Sequence, residues 1–389
     1  MSGEKSTGRA SAGAFPPPRA AYVHVPFCRH RCGYCNFTLI AGRDDLIERY
    51  LRALAIELML LGERKPVDTF FFGGGTPTHL PPEQLARMFE LVREWFVLEP
   101  GYEFSVEANP FDLTAERCHV LQAAGVSRIS LGAQSFSQRK LFLLERDHRP
   151  EQIAEAFRTA KSVAESVSLD LIFGVPDESL AEWENDLQQA LVLRPQHIST
   201  YGLTIEKGTS FFPRVNRGEL KPAHEDAAAA MYERTIDVLT AAGYEHYEVS
   251  NFALPGHRCR HNETYWLGRG YFAAGPGAAR YANGVREVNH RSTTAWLQRL
   301  EKNESPVAER EELSPEERAR ERLVFGLRRL AGIELRAFAQ ETGFAVERLG
   351  GKALEQFIEQ GFLERSATAL RLTRRGLLIS DSLWPYLLG

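Results

Sequence analysis

Long apolar runs are missing from this sequence. No stretch reaches the ~18 consecutive apolar residues of a membrane-spanning helix, so no transmembrane segment is expected. Residues 1–20 also lack the apolar core of a secretory signal. They are small, polar and proline-rich around Ala14-Phe15-Pro16-Pro17-Pro18, and read as a disordered tail. Cysteine is scarce, with five in 389 residues, and an odd count with three crowded into eight positions is not a secreted disulfide framework. That usage points to a reducing, cytoplasmic compartment and to metal ligation. No charge sign dominates either: 47 Lys+Arg face 51 Asp+Glu for a net −4, so no nucleic-acid partner is implied. Peripheral membrane association is left open.

What is present is an ordinary globular composition, 43% hydrophobic and 25% charged, in a chain long enough for one large domain and an appendage. Short β-branched and aromatic runs alternate with helical patterns. The runs are Ala21–Val25, Thr69–Phe72, Glu103–Ala108, Arg128–Leu131, Ser168–Phe173 and His197–Tyr201. Each is followed by apolar residues at helical spacing, giving six strand–helix units of about 30 residues. Such alternation requires an α/β fold with a parallel sheet, whose functional residues gather at the carboxyl ends of the strands. The expected division is a tail at 1–20, an α/β unit at 21–245, a Gly-, Asn-, His- and aromatic-rich extension at 246–300, and a mainly helical, winged-helix-like domain at 301–389. In the last, Ser314-Pro315-Glu316-Glu317 reads as a capping box.

The densest chemistry follows the first run. Cys28-Arg29-His30-Arg31-Cys32-Gly33-Tyr34-Cys35 is C-x3-C-x2-C. Three thiolates can hold three irons of a cubane cluster and leave the fourth open to a small chelating ligand, where four cysteines would saturate it. The competing reading is a structural zinc site with His24 or His30 as fourth ligand; zinc loops usually pair C-x2-C with a second distant pair, which this chain lacks. Downstream, Gly73-Gly74-Gly75-Thr76-Pro77 follows the second run. Glu107, Gln134, Asp170 and Gly202 stand in or at the ends of the later ones. Polar side chains recurring at successive strand ends favour one shared ligand site.

These residues carry a resemblance. The C-x3-C-x2-C motif resembles the signature of the radical S-adenosylmethionine (SAM) superfamily. Tyr22-Val23-His24-Val25-Pro26-Phe27-Cys28 is similar to the group that contains oxygen-independent coproporphyrinogen III oxidases and their haem-chaperone relatives. The similarity runs from about Ala21 to the C-terminus. It implies an incomplete (β/α)6 barrel, a [4Fe-4S] cluster on Cys28, Cys32 and Cys35, and SAM on the open iron. It further implies that Tyr22, Tyr34, Gly74, Gly75, Thr76, Glu107, Gln134, Arg146, Asp170, Gly202 and Ala279 line the SAM site, with Arg146 facing a SAM or substrate carboxylate.

Within that group the sequence leans to the chaperones. The oxidases resemble C-x3-C-x2-C-x-C, and Phe37 stands where the further cysteine would be. They also carry an N-terminal extension, whereas 21 residues precede Tyr22 here. His261-Asn262-Glu263-Thr264-Tyr265-Trp266 resembles the chaperones' HNxxYW motif, which implies haem binding through His261, Asn262, Tyr265 and Trp266. Cys259 is an alternative iron ligand, and Cys118 reads as a small buried hydrophobe. The segment Arg371-Leu372-Thr373-Arg374-Arg375-Gly376 is similar to the chaperones' C-terminal domain. The expected function is haem binding and delivery to apo-haemoproteins. The alternatives are conversion of coproporphyrinogen III to protoporphyrinogen IX, and a zinc-stabilised scaffold without SAM chemistry.

Overall fold

A computed structural model describes residues 16–389. The first fifteen residues of the expected tail lie outside the described residues, and Ala20 already belongs to the first strand. The six runs become β1 Ala20–Val25, β2 Lys65–Gly74, β3 Phe96–Ala108, β4 Arg128–Gln134, β5 Ser166–Phe173 and β6 His197–Gly202. Each pairs in parallel with the next. The helical patterns become Ile47–Met59, Pro82–Trp95, Ala115–Ala123, Pro150–Val163, Leu180–Leu193 and Glu225–Ala241.

Strand alternation sorts the side chains. On β2, Phe70 and Phe72 are fully buried and meet Phe104 and Phe89 edge-on, with ring centroids 5.4 and 5.0 Å apart. Phe71, between them, lies on the other face, 6.0 Å from the Tyr22 ring. Parallel pairing buries the sheet on one side under helices and leaves the concave side for polar strand ends.

The 246–300 stretch, weakly periodic in sequence, is not a separate unit. Its strands β7 Glu245–Glu248 and β8 Asn251–Ala253 extend the sheet past β6 in antiparallel sense. Strand β9 Phe272–Ala274 runs parallel to β1 at the opposite edge. The result is an open nine-stranded sheet, ordered β9-β1-β2-β3-β4-β5-β6-β8-β7, which makes the barrel incomplete. A hairpin, Ala279–Ala282 and Val285–Asn289, takes Val307–Glu312 as its third strand. That charged strand, expected to open the C-terminal domain, pairs through its backbone with the extension instead. The rest opens at helix Pro315–Arg328, with Ser314 and Glu317 forming the expected capping box. Helices Leu335–Thr342 and Val346–Glu359 and a small three-stranded sheet complete this part of the chain. No described helix is long and apolar enough to cross a membrane.

Candidate functional site

The loop after β1 is folded back on itself: Ile40 N donates to Pro26 O at 2.7 Å, and Cys35 N to Cys32 O at 3.0 Å. This brings Cys28, Cys32 and Cys35, all free thiols, to the wall of one cavity of about 310 Å³ at the carboxyl ends of the strands. No three His, Cys, Asp or Glu side chains among the described residues converge on a single metal ion. A cubane does not ask for that convergence, since each thiolate meets its own iron. Of the two histidines a zinc site would use, His24 has both ring nitrogens engaged. They lie 2.6 Å from Thr38 O and 3.1 Å from Tyr22 Oη. Burial pushes the Cys28 thiol up to about 12 and raises Cys35 as well. Buried thiols in this state become thiolates when a cationic centre offsets the desolvation.

The Gly-Gly-Gly-Thr-Pro turn presses against this loop. Gly74 has φ +109°, and a Cβ there would lie 2.3 Å from the His24 ring; one at Gly75 would lie 2.7 Å from Phe27 O. Only glycine permits that approach. Thr76 Oγ1 then reaches Cys28 Sγ at 3.4 Å and accepts from Asn109 Nδ2 at 3.0 Å. Glu107, at the end of β3, accepts from Gly74 N at 3.0 Å; burial pushes its carboxyl up to about 7, and neighbouring Asp170 adds to the rise. Burial also raises Asp170, against hydrogen bonds from Ser130 Oγ at 2.9 Å and Ser168 Oγ at 3.3 Å. Gln134 takes a left-handed φ of 61° at an irregularity where β4 leaves its neighbour.

Arg146 completes the wall. It donates to Gly132 O at 3.1 Å, to Asn109 Oδ1 at 2.5 Å and towards Cys32 Sγ at 3.4 Å, while its buried Nε has no partner. Two half-buried carboxyls and a half-buried guanidinium with a spare, buried Nε donor, beside three thiols, fit a zwitterion carrying an ammonium and a carboxylate.

Of the residues the resemblance assigned to SAM, the structure gathers Tyr34, Gly74, Gly75, Thr76, Glu107, Gln134, Arg146, Asp170 and Gly202 around this cavity. Tyr22 and Ala279 are not among them. Tyr22 sits two residues back from His24 on β1 and faces Phe71 and His261; Ala279 opens the hairpin; both line a second cavity. The sequence reading missed Asn109, Ser130 and Gly132, which also line the first cavity. Asn109 could have been found, because two-residue alternation along β3 puts it on the face of Glu107.

The segment expected to bind haem forms helix Arg260–Trp266. Its first N–H groups, on Arg260 and His261, donate to the Glu103 carboxylate at 3.1 and 3.0 Å. His261 is buried, with Nδ1 2.9 Å from Thr69 Oγ1, Nε2 2.9 Å from Tyr265 Oη, and its ring 5.1 Å from Phe71. Burial lowers it to about 4, so it is a neutral imidazole with both nitrogens occupied. Cys259 is buried too, its Sγ 3.6 Å from Glu103 Oε1, and burial raises its thiol. His261 therefore has no free nitrogen lone pair, and Cys259 donates its S–H to Glu103 inside the fold; neither expected iron ligand lines either cavity. Asn262 lines neither cavity, and Cys118 is buried on its helix. Tyr265 and Trp266 do reach open space: they wall the second cavity, about 370 Å³, which shares no lining residue with the first.

An open parallel sheet whose first strand delivers three cysteines to a glycine turn and to polar strand ends is the architecture of a radical SAM protein. The family description for the radical SAM superfamily matches residues 22–190, and that for the HemN C-terminal domain matches residues 313–379. The haem chaperone HemW of Bacillus subtilis is 35% identical over 95% of this chain and 99% of its own. That of Escherichia coli is 34% identical over 94% and 97%. Radical S-adenosyl methionine domain-containing protein 1, mitochondrial, of Bos taurus is 36% identical over 98% and 90%. The solved coproporphyrinogen III oxidase HemN of Escherichia coli shares the fold, with a TM-score of 0.84 at 21% identity over 95% of this chain and 90% of that one. The chain belongs to the HemW family of radical SAM proteins.

Proposed function

We propose that this chain is a cytoplasmic haem chaperone, which binds haem through the 261–266 segment and hands it to apo-haemoproteins. A [4Fe-4S] cluster on Cys28, Cys32 and Cys35 and a bound SAM regulate or drive the transfer. The observation that carries the reading is the helix Arg260–Trp266 itself: it turns Tyr265 and Trp266 into the wall of an aromatic cavity separate from the cysteine cavity. The near-full-length similarity to haem chaperones supports it. So does the exposed Phe37 at the place of the oxidases' additional cysteine.

When bound, the cluster and SAM supply reductive cleavage of a sulfonium carbon–sulfur bond. The chain's own residues bind and orient. The Gly74–Gly75 turn and Glu107 would hold the SAM ammonium, Arg146 would hold its carboxylate through the spare Nε–H, and Asp170 and Gln134 would complete the lining.

The test is an anaerobic haem titration of cluster-reconstituted protein followed at the Soret band, with a coproporphyrinogen III turnover assay beside it. Stoichiometric haem binding without turnover supports the chaperone. Turnover with no haem binding overturns it in favour of the oxidase.

A further inference from the structure

The second cavity is walled by segments distant in sequence: helix Arg260–Trp266, hairpin Ala279–Asn289, and helix Pro315–Arg328 of the C-terminal unit. Its volume falls in the range of small-molecule sites. Rings dominate the lining. Tyr265 and Tyr271 meet edge-on at 4.7 Å, Trp266 faces Phe325 at 6.4 Å, and Tyr271 and Tyr281 are joined through their backbones. Trp266 Nε1 is buried without a partner.

The charged lining is cationic, with four arginines against Glu321. Arg286 is matched by Glu321 at 2.9 Å and Glu311 at 3.1 Å. Arg322 reaches Glu341 at 3.3 Å and Trp266 O at 3.4 Å, and is held below its ordinary value by burial and by the nearby Arg329 and Arg269 charges. Arg269 is exposed; its backbone N donates to Thr264 O at 3.0 Å, and its guanidinium, though close enough to Asp68 to lower that carboxyl, makes no side-chain hydrogen bond or ion pair among the described residues. Gly268, at φ +60°, lets Arg322 in: a Cβ there would lie 2.6 Å from Arg322 Cδ. Two guanidiniums brought together at an aromatic slot call for an acidic, flat, apolar ligand.

Resting on the haem-chaperone reading, we propose that this cavity is the haem seat. The macrocycle lies among Tyr265, Trp266, Tyr271, Tyr281 and Phe325, and the two propionates pair with Arg269 and Arg322. The C-terminal unit is then part of the binding site rather than a packing cap. No histidine or cysteine lines the cavity. The anchors are therefore rings and carboxylate partners, and an iron–imidazole bond is not required.

The experiment uses the full chain with reconstituted cluster, titrated with haem, iron-free protoporphyrin IX, and protoporphyrin IX dimethyl ester, read by absorbance and by tryptophan quenching. Arg269→Glu is the primary variant, since Arg269 is exposed. Arg269→Gln/Arg322→Gln is the second, with circular dichroism as the fold control. The seat predicts that wild type binds haem and protoporphyrin IX alike. It predicts that both variants weaken these ligands about tenfold or more, equivalent to about 1.4 kcal/mol, and leave the ester unchanged. Haem binding by wild type that is indifferent to both variants, or ester binding that falls as far as that of the free acids, overturns the seat while sparing the chaperone. Failure of wild type to bind haem at all overturns the chaperone reading and the seat with it.

Discussion

Arg146 and Cys32, 114 residues apart in sequence, are in contact: a guanidinium nitrogen stands 3.4 Å from the thiol sulfur. The segment after β4 is thereby tied to the loop after β1, and the same guanidinium grips Gly132 O and Asn109 while keeping Nε free for a ligand. A lysine keeps the charge but loses the planar fork. Arg146→Lys is expected to raise the Kd for SAM about tenfold or more in anaerobic calorimetry, with the thermal midpoint of the ligand-free protein little changed. An unchanged Kd would remove Arg146 as a carboxylate partner.

The Glu107 carboxyl is raised from its ordinary 4.5 to about 7 in the fold. A raised group contributes stability that is fully present below its unfolded value and lost as pH rises through the folded one. Ligand-free protein should therefore lose stability between about pH 4.5 and 7, by a few kcal/mol at most. Glu57, raised to about 7 by its own burial, titrates in the same window, so the readable quantity is wild type minus Glu107→Gln. That difference in midpoint should decline with pH across the window, and SAM should restore more of it at pH 8 than at pH 5.5. A difference flat in pH would mean that Glu107 does not titrate as argued.

Cys28, Cys32 and Cys35 share one cavity, whereas Cys118 and Cys259 are buried elsewhere. Serine at any of the first three should abolish stable cluster loading, read as iron and acid-labile sulfide, with the far-UV spectrum preserved. Serine at Cys118 or Cys259 should leave loading intact. Zinc without sulfide in the wild type would instead support a structural site.

His261 is held between Thr69 and Tyr265. His261→Ala leaves both hydroxyls without that partner in a buried place and should cost about 2–4 kcal/mol, seen as a lower midpoint in urea or heat. Tyr265→Phe removes one hydroxyl and should cost about 1 kcal/mol. If His261→Ala is as stable as wild type yet binds no haem, His261 acts on the ligand directly rather than through Tyr265.

Much of this was legible in sequence where a local rule controls the outcome. Runs such as Phe70-Phe71-Phe72 announce a buried strand, Ser314 and Glu317 announce a cap, and the three cysteines with the glycine turn place the site at the strand ends. What could not be read depends on which face a residue presents and on pairing between distant segments. Tyr22 carried the right motif, but its place on β1 turns it to the second cavity. His261 carried the expected chemistry, and its burial against Phe71 spends both nitrogens on the fold. The second cavity needs Tyr271 and Tyr281 from the weakly patterned extension together with Phe325 from the capped helix Pro315–Arg328, so no single window of sequence signals it.

The central claim is that haem is cargo, and transfer tests it most directly. Cluster-reconstituted protein loaded with one equivalent of haem is mixed anaerobically with an apo-haemoprotein, with and without SAM, and the two Soret bands are followed. The account predicts that haem leaves this chain for the acceptor, with coproporphyrinogen III in a parallel sample unchanged. Haem that stays bound, or never binds, while coproporphyrinogen III is converted to protoporphyrinogen IX, would contradict it.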